Sequence, residues 1–121
     1  MEINEKQLKE IITKIVVEML RRNDGFVKET DKSGILKIET STVKCEPFNG
    51  AQGVYLKDIV TLEEAPRMGA GIMELDHTSF EWTLTYDEYD YVIDGELEIE
   101  IDGRVVSGKP GDIIYIPKNS H

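Results

Sequence analysis

Cysteine, histidine and basic residues are all scarce in this chain of 121 residues, and each shortage closes off a class of function. The only cysteine, Cys45, has no second thiol to pair with, which excludes an internal disulfide and suits a reducing, cytoplasmic setting. Lys and Arg number 14 against 24 Asp and Glu, a formal net charge of -10. Such a chain repels a phosphate backbone unless its cations cluster, and no cluster is visible, so nucleic acid is not an expected partner. No apolar run approaches the roughly 20 residues that a helical span needs, and no signal-peptide pattern is present, so no membrane partner is expected. A phosphate-binding GxxxxGK[ST] loop is missing too, and the glycines of NGAQG at 49–53 read as a turn between strands.

What is present begins with a helix. In NEKQLKEIITKIVVEMLRRNDG the residues Leu8, Ile11, Ile12, Ile15, Val16, Met19 and Leu20 recur at steps of three and four, which places them on one helical face. Asn4 caps this helix with Gln7 three residues on, Arg21 and Arg22 suit its C-terminal dipole, and Gly25 ends it. KETDKSG at 28–34 is polar and turn-rich and reads as a linker. The expected organisation is therefore a helix and linker over 1–34 and a β domain over 35–121.

From Ile35 the period changes to two. ILKIE, TVKCEPF, VYLKDIV, AGIMELD, SFEWTLT, EYDYVID, ELEIEID and DIIYI are short runs punctuated by Gly, Pro, Asp or Asn. In ELEIEIDGRVV, Leu97, Ile99 and Ile101 alternate with Glu96, Glu98 and Glu100 ahead of a two-residue Asp102-Gly103 turn, a strong hairpin signal. Closely spaced strands without helices between them imply an all-β sandwich or barrel.

EYDYVIDGELEIEIDGRVVSGKPGDIIYIP spaces Glu88, Gly95, Gly111 and Pro117 in a way that resembles the cupin pattern. The resemblance implies a small antiparallel jelly-roll barrel with a divalent metal held by three histidines and a glutamate. Here the histidine positions are empty: Glu81 and Thr83, or Trp82 and Leu84, stand where the first two would be. His121 falls one residue out of phase with the last, so on a regular strand it faces away from the ligand direction. An exposed His121 is therefore favoured over a ligand, and no metal site of the usual cupin type is expected. The chain also stops where a jelly roll needs a further strand to cover its edges, so a barrel truncated at its C-terminus is expected ahead of strand pairing completed between subunits.

A narrower match follows from FEWTLTYDEYDYVIDGELEI and KPGDIIYIPKNS, which together resemble the EutQ family of ethanolamine-utilisation proteins over about Val54 to Ser120. That resemblance implies work at a bacterial microcompartment. It also implies ATP-dependent acetate kinase activity with Mg²⁺ or Mn²⁺, and a homodimer.

Alternation puts Glu88, Asp90 and Val92 on one side of their strand and Asp87, Tyr89 and Tyr91 on the other. The cupin resemblance points Glu88 into the barrel, and Asp90 with it. Two inward carboxylates need partners. Either they line a pocket, with Thr83, Thr85 and Tyr86 nearby and Trp82 as an aromatic wall, or Asp90 pairs with a Lys or Arg as a structural ion pair. In the first reading Glu88 and Asp90 are oxygen ligands for the cation, and Arg67, Arg104, Lys109 or Lys118 balances the nucleotide's charge. Alternatively they form an acid/base pair on a small polar substrate, with Tyr86 a better third group than the loop residue His77.

The helix suggests an address. Its apolar stripe cannot be buried alone, so it docks on its own barrel, on a second subunit, or on another protein such as a microcompartment shell component. A chain without catalysis, serving as scaffold or shell-associated module, is the rival to the enzyme.

Overall fold

The computed structural model describes residues 4–121, with the backbone alone for 17–24, and the chain divides into two compact units, Met1–Ser79 and Phe80–His121. In the first, α1 spans Glu5–Asp24. Its start is a reciprocal capping box: the Gln7 amide donates to Asn4 Oδ1 at 2.8 Å, and the Asn4 amide donates to Gln7 Oε1 at 3.1 Å. Gly25, at φ +76°, takes the left-handed conformation that ends a helix. Leu8, Ile11, Ile12, Ile15 and Val16 stay 44% to 53% exposed, so this stretch of the stripe is not packed. The expected roles of the Met19, Leu20, Arg21 and Arg22 side chains lie outside the described residues.

The stretch read as a linker is instead partly strand. β1 (Lys28–Thr30) pairs antiparallel with β2 (Leu36–Ile38), joined by a turn in which the Ser33 amide donates to Asp31 Oδ2. The reason lies just upstream, where Phe26 and Val27 are buried and anchor the polar residues that follow them into a ladder. β3 (Glu46–Pro47), β4 (Val54–Val60) and β5 (Ala70–Leu75) form an antiparallel three-stranded sheet, with an irregularity between Asp58 and Val60.

The NGAQG segment is the turn between β3 and β4, closed by hydrogen bonds from the Ala51 amide to Phe48 O and from the Phe48 amide to Val54 O. Gly53 is held there at φ +79°, and a Cβ on it would lie 2.8 Å from the main-chain oxygen of Asp76. Gly53→Ala therefore combines left-handed strain with a backbone clash, and we expect it to cost about 2 kcal/mol or more. A thermal melt should fall by roughly 10 °C; an unchanged melt would show that the Asp76–Thr78 loop yields freely.

In the second unit β6 (Glu88–Tyr91) pairs with β9 (Ile113–Ile116), and β7 (Leu97–Ile101) pairs with β8 (Arg104–Gly108), both antiparallel. Asp102 and Gly103 both have positive φ and join Ile101 to Arg104 in the expected two-residue turn. SFEWTLT, expected as a strand, forms no ladder. Only Leu84 makes main-chain bonds with the opposing segment, its amide to Ser120 O and its oxygen from the Asn119 amide. Asn119, at φ 72°, and the bend at Thr85 and Tyr86 break the regular pairing on either side.

Leu84, Val92 and Ile114 form this unit's core, and Gly108 of β8 lies so close that a Cβ would meet Ile114 Cδ1 at 3.1 Å and Val92 Cγ2 at 3.2 Å. The protein is thus mostly β with one N-terminal helix. Its ladders form small antiparallel sheets, with no closed barrel among the described residues. No helix there is long and apolar enough to cross a membrane.

Candidate functional site

The chemistry concentrates on one face of β6. The register sets Glu88 opposite Ile116 and Asp90 opposite Ile114, so each carboxylate faces a cross-strand isoleucine and both are partly buried while Tyr89 and Tyr91 are exposed. Among the described residues neither carboxylate forms an ion pair with Lys or Arg, so the alternative of a structural ion pair at Asp90 finds no such partner there, and the group beside Asp90 is Glu88.

Burial pushes the Glu88 carboxyl up to about 7, and the Asp90 hydrogen bond and charge push it the same way. Burial raises Asp90 as well, while the hydrogen bond from Glu88 lowers it. The two effects place the shared proton on Glu88, which donates it to Asp90. Glu88 is therefore protonated in a share of molecules that falls as pH rises through about 7.

This arrangement carries a stability signature. Folding raises the proton affinity of Glu88, so its favourable contribution is complete below the ordinary glutamate value and is lost as pH rises towards 7. We expect stability to fall between pH 5 and 8 by on the order of 1 kcal/mol, discounted because the pair is half exposed. Urea unfolding followed through Trp82 at the two pH values measures it, and Glu88→Gln should flatten the difference. A midpoint that rises over this range would contradict the shared-proton arrangement.

The other expected site residues are dispersed. Thr83 Oγ1 meets His121 Nδ1 at 2.6 Å, and both residues are exposed. Trp82 packs edge-on against Phe80, ring centroids 6.3 Å apart. Thr85 is exposed, and Tyr86 lies exposed in the bend before β6. Lys118 contributes its main-chain amide, which donates to Asp87 Oδ1 at 2.8 Å and pins that bend beside Glu88. His77, in the first unit, is fully exposed with Nδ1 2.7 Å from Asp76 Oδ1.

Cation binding by the donors present can be judged on their chemistry. Glu88 and Asp90 offer only oxygen, are free of competing Lys or Arg, and already share a proton that a cation would displace, which fits Mg²⁺ or Mn²⁺ better than a softer metal. No cluster of three or more His, Cys, Asp and Glu that could hold a metal ion occurs among the described residues.

One feature escaped the sequence reading. Lys28, 5% exposed, donates from Nζ to Glu64 Oε1 at 2.6 Å and Oε2 at 2.9 Å, with the Phe26 ring beneath it. Glu64 also closes a capping box with Thr61. The Thr-x-x-Glu spacing of TLEE was the available signal.

Comparison with known proteins gives this geometry a context. The family model described as ethanolamine utilisation protein EutQ matches residues 3–121. A Clostridioides difficile protein named acetate kinase EutQ is 44% identical over 127 residues, covering 98% of this chain and 81% of that protein. The Salmonella typhimurium protein of the same name is 40% identical over 121 residues, covering 98% of this chain and 52% of its own length, so the chain spans about half of that relative. A solved structure of the Clostridium difficile EutQ protein superposes with a TM-score of 0.71 at 52% identity, covering 78% of this chain and 80% of that one.

Proposed function

The chain belongs to the EutQ family of ethanolamine utilisation proteins, and from that membership we propose that it interconverts acetate and acetyl phosphate at the expense of ATP. In the forward direction an acetate oxygen attacks the γ-phosphorus, the bond to the ADP oxygen breaks, and acetyl phosphate and ADP leave. The half-buried Glu88–Asp90 pair is the observation that carries the site assignment. A divalent cation held there supplies charge neutralisation of the phosphates. Glu88 and Asp90 would hold it through their oxygens, with Glu88 in its deprotonated form. Thr85 and Tyr86 precede β6 and Lys118 follows β9 in sequence, and these three are secondary candidates for substrate contacts.

ADP formation from ATP in the presence of acetate and Mg²⁺ or Mn²⁺ tests the proposal. Acetate-dependent turnover that falls in a folded Glu88→Gln variant supports it. No turnover by the complete protein would favour a scaffold.

The exposed stripe of α1 favours a second role, recruitment to a bacterial microcompartment through a shell partner. Ile11→Asp with Ile15→Asp is expected to abolish co-sedimentation with shells while leaving the melting temperature unchanged. A matching loss of melting temperature would mean that the helix packs on its own chain.

A further inference from the structure

The ladder between β6 and β9 stops at Glu88 and Ile116, which makes Glu88 the terminal residue of its strand. Strand ends fray, yet a carboxylate that is to hold a cation must keep its geometry to within about 0.5 Å. The ladder cannot run on through the residue after Ile116, because Pro117 has no amide to donate. The first donor beyond it is the Lys118 amide, and it goes to a side chain: Asp87 Oδ1 accepts it at 2.8 Å. The same carboxylate accepts the Tyr115 hydroxyl. Tyr115 lies opposite Tyr89 with the ring centroids 5.0 Å apart, so the hydroxyl is carried on a ring that is itself packed. Asp87 thus ties the residue before Glu88 to two points on the facing segment, one on each side of Ile116.

We propose that Asp87 is a positioning residue, a clasp that fixes the end of β6 so that Glu88 stays beside Asp90. It is not a ligand itself: alternation turns its side chain to the face opposite Glu88 and Asp90, where the Tyr115 hydroxyl meets it. Among the described residues the next main-chain bonds between the two segments are those of Leu84, on the far side of the bend at Thr85 and Tyr86. With Asp87 released, that bend becomes a hinge about which Glu88 swings, while the buried residues Leu84, Val92 and Ile114 keep the unit folded. The inference rests on the cation site proposed for Glu88 and Asp90.

Titration of the complete protein with Mn²⁺ alone, followed through the paramagnetic resonance of the free ion, tests it. Asp90→Asn first shows that the binding measured is at this site. Asp87→Ala is then expected to weaken that binding by roughly 10-fold, the scale for a lost outer partner of a metal ligand. Asp87→Asn keeps an oxygen that accepts the Lys118 amide and gains an amide that donates to the Tyr115 oxygen, so its affinity should stay within about twofold of the unmodified protein. A role through charge would weaken both variants alike, and a role in stability alone would move neither affinity. Where Asp87→Ala does not fold, Tyr115→Phe decides: it keeps the ring against Tyr89, deletes one arm of the clasp, and should weaken Mn²⁺ binding by roughly threefold or more. Unchanged affinity in folded Asp87→Ala, or in Tyr115→Phe where that variant is used, or equal losses in the Ala and Asn variants, would overturn the clasp and leave the cation site standing. No Mn²⁺ binding by the unmodified protein, or binding indifferent to Asp90→Asn, would overturn the cation site and the clasp with it.

Discussion

If the proposed activity holds, Asp90→Asn is expected to leave the second unit folded and to lower acetate-dependent ATP turnover by about 100-fold or more, the scale seen when a group that stabilises transferring charge is removed. The substitution conserves shape and hydrogen-bonding capacity but removes the charge that a cation needs. Its effect on folding is expected to be small because, among the described residues, Asp90 has no ion pair with Lys or Arg; its charged form is already disfavoured by burial opposite Ile114. Turnover assayed beside a thermal melt separates the two effects. Equal loss of stability and activity would make the pair structural, and unchanged turnover would move the chemistry elsewhere.

The largest stability effect belongs to the other unit. Glu64→Ala strips the carboxylate from Lys28, whose ammonium then sits with no opposing charge in a site almost closed to water. Removing one partner of a buried pair costs about 3–5 kcal/mol, and the part-exposed Glu64 side places this one near 2–3 kcal/mol. Lys28→Met in the same chain should recover most of that loss, since it removes the stranded charge and keeps an apolar stem over Phe26. Urea denaturation of the single and double variants measures the coupling. A double variant no more stable than Glu64→Ala would show that the loss comes from the Thr61–Glu64 capping box and not from the charge.

Elements with a strong period were legible in the sequence, and those fixed by distant contacts were not. The helix, its Asn4–Gln7 box and its Gly25 stop follow from local chemistry alone. So does the Asp102-Gly103 hairpin, because only a two-residue turn with positive φ at both positions connects its strands. KET at 28–30 looks like linker because its three residues are polar; its strand character comes from Phe26 and Val27 before it and from β2 beyond the turn. SFEWTLT has the alternation of a strand, but Asn119 and the Thr85–Tyr86 bend deny it a regular partner.

The site divides the same way. The alternation that sets Glu88 and Asp90 on one face was readable. The contact between Thr83 and the His121 ring was not, because 38 residues separate them. What no local pattern gave was the pairing itself. Isoleucines at 114 and 116, more than twenty residues away in sequence, create the environment that makes two carboxylates share a proton.

The central claim is that this pair holds the cation through which ATP is bound. Calorimetric titration of the complete protein with ATP, with and without Mg²⁺ or Mn²⁺ and repeated on Asp90→Asn, tests it most directly. The account predicts binding that requires the cation, releases a proton near neutral pH, and is weakened by the substitution. Binding that is indifferent to the cation or to Asp90, or no binding at millimolar nucleotide, would contradict it.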